Sequence, residues 1–349
     1  MKNKLIKKII TKNKSTAFIA ILGVFVVTGN VKAEIIFEDN FDNSPDWQSQ
    51  QTVNKSQPGG YDISWGMTRA DICTTHCPPQ GWTSYRTASS LWTDNRGKDT
   101  FILSSEGARG ASGKGITYNV EVSGDYGTWT GGSLDIWLGE TGYKELYIRF
   151  YLKYGQNWKW TNEQNSEHCQ QKLIRISTFN DNVWISSSSP QQYQSVGLNR
   201  PVFYPDWYYN KSFPPDAILT VLSMSAPDYS EESKDEYPDV TWPTDGEWHC
   251  YEFHVKMNSV AGVADGIWEV YIDGILKKRR TNVMWKKVGS NTDHDWNWLM
   301  FLDNITNGSA PKDSHTEMQI YMDDVVVSTE YIGLADQTKF IILSPPTFK

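Results

Sequence analysis

The stretch Glu145-Leu-Tyr-Ile-Arg-Phe-Tyr-Leu-Lys153 decides how the rest of the chain is read. Leu146, Ile148, Phe150 and Leu152 alternate with Tyr147, Arg149, Tyr151 and Lys153. Successive side chains of a strand point to opposite faces, so this pattern predicts a strand with one apolar face and one face of tyrosines and cations. The same period recurs downstream. In Trp248 to Met257, Tyr251, Phe253, Val255 and Met257 form the apolar set, and Glu252, His254 and Lys256 stand opposite. In Trp268 to Asp273, Trp268, Val270 and Ile272 oppose Glu269 and Tyr271. Asp273-Gly274 between two such runs is a hairpin signal, because the favoured two-residue turn needs residues that accept positive φ.

Further strands are expected at Ile35 to Glu38, Thr100 to Ser104, Gly115 to Val122, Gln171 to Ser177, Trp298 to Leu302 and Gln319 to Thr329. Residues 43–100, rich in Gly, Ser, Pro and Trp, are expected to be irregular. Residues 186–247 read as a loop-rich insertion whose acidic run, Asp228 to Asp239, is a solvated loop, with a cation site as the alternative. No amphipathic helical period exceeds about three turns and no internal repeat is visible. Regularly spaced strands of this kind argue for an all-β antiparallel sandwich, here a single domain over residues 34–333 with a tail over 334–349.

Six lysines (Lys2, Lys4, Lys7, Lys8, Lys12 and Lys14) precede the apolar run Ala17 to Gly29, and Val31-Lys32-Ala33 follows. That order is the order of a cleavable export signal, residues 1–33. The run is well short of the ~20 residues that span a bilayer, and no cysteine follows the cut as a lipoprotein would need; an uncleaved anchor is the alternative. The expected product is exported, periplasmic or extracellular, with no membrane span after cleavage. The whole chain has 33 Lys+Arg and 41 Asp+Glu, net −8. Seven lysines and no acids lie in residues 1–33, so the remainder carries 26 cations against 41 anions, or −15. Nucleic acid is a poor partner for such a chain, and a monomer is expected. The 16 Trp and 18 Tyr exceed what a core alone would use. In an exported protein rich in Gly, they suggest flat platforms for the C–H faces of sugar rings.

Four cysteines in an oxidising compartment read as two disulfides. Cys73 and Cys77 would close a small loop, and Cys169 and Cys250 would join two strands. A zinc site using His76, His168 and His249 beside these cysteines is the competing reading, but the paired spacing of a structural site is absent.

Several segments now point to a known group. Phe37-Glu-Asp-Asn-Phe-Asp42, Glu145 to Lys153, Trp248-His-Cys-Tyr-Glu-Phe-His-Val-Lys256, Gly266-Ile-Trp-Glu-Val-Tyr-Ile-Asp-Gly274 and Tyr321-Met-Asp-Asp-Val-Val-Val-Ser328 resemble exported bacterial concanavalin A-like proteins. The resemblance covers most of residues 34–333. It implies a jelly-roll sandwich of two antiparallel sheets, one of them concave. The superfamily includes lectins, glucanases and alginate-, glucuronan- and heparin-type polysaccharide lyases, so the fold is implied more specifically than the activity.

The polar strand faces give the chemical expectations. A retaining hydrolase needs two carboxylates ~5–5.5 Å apart. Laminarinase-type members carry them as Glu-x-Asp-x-Glu, a spacing absent here: Asp135-Ile-Trp-Leu-Gly-Glu140 lacks a leading acid, which leaves Glu252 with Glu269 across strands. β-Elimination of a uronate needs a carboxylate neutraliser, a base and an acid. Arg149, Arg175 or Gln171 would neutralise, His254 would be the base, and Tyr147, Tyr151 or Tyr271 the acid. Lys153, Glu252, Lys256 and Glu269 would bind the sugar, and Arg149, Lys153, Lys172, Lys256 and Lys277 to Arg280 would supply a local positive field. The matching is by residue type and face, since no complete alginate-lyase signature is present. Set against it are a solvated sheet face with cross-strand ion pairs, a hydrogen-bonded structural His254, and a non-catalytic carbohydrate-binding module. No cofactor is required. Asp39 or Asp42 near the first strand and Asp323 or Asp324 near the last would converge on a structural Ca2+ if those strands pair.

Overall fold

The computed structural model describes residues 34–49, 61–62, 67–71, 73–74, 76–86, 99–119, 129–130, 132–156, 158, 172–178, 201–206, 218–223, 242–286, 288, 295–303, 305–306 and 318–335. The expected export signal and residues 336–349 lie outside the described residues.

Strands dominate the described residues. In chain order they begin with β1 (Ile35–Asp39), β2 (Trp47–Gln48), β3 (Tyr61–Asp62), β4 (Met67–Arg69) and β5 (Ser84–Arg86). β6 (Phe101–Ser104), β7 (Gly115–Asn119), β8 (Trp129–Thr130), β9 (Ser133–Trp137) and β10 (Glu145–Tyr154) follow. Next come β11 (Ile174–Ser177), β12 (Pro201–Asp206), β13 (Ile218–Ser223), β14 (His249–Lys256) and β15 (Gly266–Ile272). β16 (Ile275–Val283), β17 (Trp298–Phe301), β18 (Ile305–Thr306) and β19 (Gln319–Ser328) complete the series. Among the described residues the one helical element is a single 3-10 turn, Ser105–Gly107. No helix among them is long and apolar enough to cross a membrane.

Apart from β8 and β18, which pair with each other, these strands build an open jelly-roll sandwich of two antiparallel sheets. The first has the order β16-β15-β14-β10-β19-β7-β6-β2, with β1 also pairing with β19; the second has the order β13-β12-β11-β17-β9-β5-β4-β3. The apolar alternation explains why the layers meet. Leu146, Ile148, Phe150 and Leu152 of β10 and Tyr251, Phe253 and Val255 of β14 face Tyr85, Leu134, Ile136, Ile174, Ile176, Leu299 and Phe301 of the second sheet in one core. Phe150 meets Phe301 across the sandwich, edge to face at 5.5 Å, the arrangement that aromatic quadrupoles favour.

The expected turn at Asp273-Gly274 is present, with φ of 52° and 72°, the two positive values such a hairpin demands. Two expectations need correction. Residues 43–100 contain β2 to β5, and the insertion 186–247 contains β12 and β13, which extend the second sheet at its edge. Short strands flanked by Gly, Ser and Pro carry too few alternations to stand out locally; pairing to neighbours makes them strands. The Cys73–Cys77 disulfide closes its small loop, with Cα atoms 5.4 Å apart. Cys250 on β14 is instead a buried free thiol, so its expected bond to Cys169, which lies outside the described residues, is not formed. Burial pushes that thiol up to about 12, which keeps it protonated and unreactive.

Candidate functional site

The outward face of the first sheet brings the expected site residues of β10, β14 and β15 together, whereas Arg175, expected in the same groove, lies on β11 of the second sheet. Tyr147 pairs with His254, Arg149 with Glu252 and Tyr151 with Cys250 between β10 and β14, while His254 pairs with Glu269 and Glu252 with Tyr271 between β14 and β15. Their arrangement is a closed network. His254 Nδ1 lies 2.7 Å from Glu269 Oε2, and its Nε2 lies 2.9 Å from Glu145 Oε1. Tyr147 stacks on the imidazole at 4.0 Å, Tyr271 donates its hydroxyl to Glu269 at 2.8 Å, and Lys256 pairs with Glu145 at 2.9 Å. Burial alone would lower the His254 pKa, but the hydrogen bonds and charges of Glu145 and Glu269 outweigh it and raise it.

Residues 331–335 then cover this face. The Glu252 carboxylate accepts the N–H groups of Ile332 (2.8 Å) and Gly333 (2.9 Å), Arg149 donates to the Gly333 carbonyl at 3.2 Å, and the Tyr151 hydroxyl accepts the Ala335 N–H at 2.9 Å. The Tyr331 ring packs against both Tyr147 and Tyr271. His254, Glu252, Glu269 and Tyr271 are left 4%, 2%, 4% and 1% exposed. An abstracting base needs a free lone pair facing substrate. Here both imidazole nitrogens are engaged by carboxylates beneath residues 331–335.

This network carries a pH signature. Glu145 and Glu269 feel burial first, which would raise them, but the bonds to His254 and to Lys256 or Tyr271 prevail and lower both. Lowered carboxylates stabilise the fold above their unfolded pKa, and that contribution fades as pH falls through the folded values. The raised imidazole stabilises it fully below 6.5, and that contribution is lost as pH rises through the folded value. Urea unfolding across pH should therefore show a stability maximum between these limits, and His254→Gln should flatten the alkaline side. An unchanged alkaline limb in the variant would show that His254 is neutral in the native state.

The outward face of the second sheet is organised differently. With Tyr85, Leu134, Ile136, Ile174, Ile176, Leu299 and Phe301 in the core, alternation sends Ser84, Arg86, Ser133, Asp135, Trp137, Arg175, Ser177, Trp298 and Met300 outward. Register aligns Ser84, Asp135, Met300 and Arg175 in one line across β5, β9, β17 and β11. Trp137, Trp298 and Ser177 make the line beside it, and Arg86 stands opposite Ser133 on the other side.

After β17, Leu302 adopts a φ of 49°, an outlier for a bulky side chain, and donates its N–H to the Leu173 carbonyl at 2.8 Å. That turn places Asp303, fully buried, between two guanidinium groups: Arg86 pairs with one oxygen and Arg175, at 2.5 Å, with the other. The triad keeps one net positive charge. Lys172, next to Leu173, belongs to the same cluster. Burial first, then the charges of Arg175 and Arg86 against that of Asp303, lower its ammonium from 10.5 to about 7. Burial likewise pushes Asp135 up to about 6 against the pull of Ser133, Arg86 and Ser84, the last of which donates to Oδ2 at 2.8 Å. Trp137 Nε1 and Ser177 Oγ are buried atoms with no hydrogen-bond partner among the described residues. Buried polar atoms without partners are rare in folded proteins and mark places where a ligand completes the set.

The sequence pattern singles out Arg175 and Lys172 of this cluster, and Gln171 lies outside the described residues. It does not single out Arg86, Asp135, Trp137, Trp298 or Asp303. The alternation in Ser133-Leu-Asp-Ile-Trp137 and Trp298-Leu-Met-Phe301 is the signal that would have placed Asp135, Trp137 and Trp298 on one face.

The expected metal ligands are all engaged by N–H donors. Asp39 Oδ1 and Oδ2 accept from Phe41 N and Trp82 Nε1, Asp42 Oδ1 and Oδ2 from Lys114 N and Asn40 Nδ2, and Asp323 Oδ1 and Oδ2 from Asp324 N and Arg109 N. Each of these oxygens thus already accepts one N–H, where Ca2+ wants six to eight oxygens. Of the histidines in the zinc alternative, His249 lies between Asp273 and Asp245, at 2.7 and 3.1 Å, and His168 lies outside the described residues. No group of three metal-type side chains is found among the described residues.

No protein-family model matches the chain, and no curated protein sequence matches it. Several solved structures do. Alginate lyase Aly36B, in complex with an alginate trisaccharide, is 12% identical over 83% of this chain and 96% of its own, with a TM-score of 0.49. The endo-β-1,4-glucuronan lyase of the fungus Trichoderma reesei is 14% identical over 72% of this chain and 93% of its own, with a TM-score of 0.45. The endo-1,3-β-glucanase of Streptomyces sioyaensis is 13% identical over 84% of this chain and 96% of its own, with a TM-score of 0.43. The structural neighbours of this all-β chain thus include alginate and glucuronan lyases and a glucanase.

Proposed function

We propose that the protein is an exported polysaccharide lyase that cleaves a uronate-containing glycan by β-elimination on the outward face of the second sheet. The observation that carries this reading is the Lys172 amine, lowered to about 7, beside the Arg86–Asp303–Arg175 triad. An amine that is part neutral at neutral pH can accept a proton, whereas an ordinary lysine cannot. The triad's net positive charge is matched to one uronate carboxylate; neutralising that carboxylate makes the C5 proton acidic and holds the charge that develops as it leaves.

The balance is as follows. Neutral Lys172 takes the C5 proton, the C4–C5 double bond forms, the bond from C4 to the glycosidic oxygen breaks, and the departing oxygen takes a proton, which the newly formed Lys172 ammonium can return on the same side of the ring. Trp137, which is only half-buried, supplies a flat surface for the sugar. Hydrolysis is served less well. The carboxylates described on this face are Asp135 and Asp303, and Asp303 is tied between two arginines, so no free pair exists for the two-carboxylate mechanism.

The test incubates the purified protein with a panel of polyuronates and neutral β-glucans while following both the ultraviolet absorbance of unsaturated uronate and reducing ends. Absorbance and reducing ends rising together on a polyuronate is the expected result. Reducing ends alone would mean hydrolysis, and binding with no product would mean a binding module.

A further inference from the structure

The first sheet's outward face continues past the segment that covers it. Residues 331–335 make their last described polar contact at Tyr151. One step further along β10 stands Lys153, opposite Tyr321 of β19, which is in turn opposite Thr117 of β7. Trp248, just ahead of β14, extends the line on the other side. The Lys153 ammonium lies 4.6 Å from the Tyr321 ring centre and 5.2 Å from that of Trp248. All three side chains are half-buried, so each keeps a solvent-facing surface.

Lys153 stands apart from the other cations of this face. Lys256 pairs with Glu145, Arg279 with Glu269 and Arg109 with Asp324, and Arg149 is spent on the Gly333 carbonyl. Lys153 makes no ion pair among the described residues. In the same line, Thr117 is 1% exposed and its hydroxyl has no hydrogen-bond partner among the described residues. A cation without an acid, framed by two aromatic rings beside an unsatisfied hydroxyl, lacks an anion with a flat apolar face. Aromatic rings take the C–H face of a sugar and the ammonium takes its carboxylate.

We propose that the Thr117–Tyr321–Lys153–Trp248 line is a second, non-catalytic binding site for a uronate-bearing glycan, on the opposite side of the sandwich from Lys172. The choice of a uronate rests on the reading of the Lys172 face as a polyuronate site. A long acidic chain held at both faces would gain avidity that a short oligosaccharide cannot, so this line would keep the protein on polymer while the other face works.

Affinity electrophoresis through gels containing alginate, polygalacturonate or a neutral β-glucan tests this, using the protein, Arg175→Ala, Lys153→Gln and the double variant, with thermal midpoints measured for each. If Arg175→Ala does not fold, Arg175→Gln, which also removes the charge that pairs with the uronate carboxylate, takes its place. Arg175→Ala should stop product formation yet remain retarded by a polyuronate, and adding Lys153→Gln should weaken that retardation about tenfold. Trp248→Ala in the same background should do the same. If Arg175→Ala alone abolishes retardation, or Lys153→Gln changes nothing in that background, the second site does not exist. Retardation by β-glucan that needs Trp248 but not Lys153 would overturn the uronate assignment. Elimination by the protein with no residual retardation of Arg175→Ala would sink this site alone, and retention without elimination would sink the catalytic reading alone.

Discussion

Lys172→Ala should lower kcat for elimination by about 10²–10⁴, the usual yield of a positioned proton-transfer group, while polyuronate binding falls only a few-fold. Lys172→Arg should not rescue it, because a guanidinium stays protonated and cannot collect the C5 proton. This pair separates a base from a mere cation: an active Lys172→Arg would show that only charge is needed at this position. The pH profile gives a second readout. A base works in its neutral form, so kcat/KM should rise with pH through about 7, the value to which burial and the two arginines bring the amine. In whatever activity remains, removing a neighbouring cation by Arg175→Gln should move that limb to higher pH, since one of the charges opposing protonation is gone.

Asp303→Asn should be the most destabilising single change in this cluster, at about 3–5 kcal/mol, because it leaves two desolvated guanidinium groups without their counter-charge. The amide keeps the shape of the side chain, so the loss isolates charge from packing. Urea unfolding at neutral pH measures it, and a cost below about 1 kcal/mol would mean that water already reaches Arg86 and Arg175 and compensates. The same substitution raises the positive charge around Lys172 and should lower its pKa further, shifting the activity limb to lower pH in whatever fraction remains folded. Stability and pH limb therefore move in the same variant for one electrostatic reason.

The two sheets differ in how much of their role can be read locally. β10, β14 and β15 each repeat the apolar alternation several times, so their inward and outward faces are legible residue by residue. Every residue assigned to the polar face, from Tyr147 to Tyr271, does lie there. The role read into that face is another matter. His254, Glu252, Arg149 and Tyr151 look like groove chemistry in a list of side chains, yet Ile332, Gly333 and Ala335 bond Glu252, Arg149 and Tyr151, and Glu145 and Glu269 engage His254. Nothing in Tyr331-Ile-Gly-Leu-Ala335 signals that it will lie across β10 and β14, since the hydrogen-bonding groups it contributes there are backbone N–H and C=O groups that every sequence possesses.

What the amino-acid sequence determined by itself was local: the period of two that sorts core from surface, the positive-φ turn at Asp273-Gly274, the short Cys73–Cys77 loop and the antiparallel all-β class. Each depends on residues within a few positions of one another, where geometry follows from covalent connectivity and side-chain pattern. Tertiary structure alone decided which outward face residues 331–335 cover and which gathers the Arg86–Asp303–Arg175 triad. Arg86 and Asp303 meet although 217 positions separate them, because β5, β9, β17 and β11 are neighbours in the second sheet. Strand order is set by burial of the whole core, and no single segment encodes it.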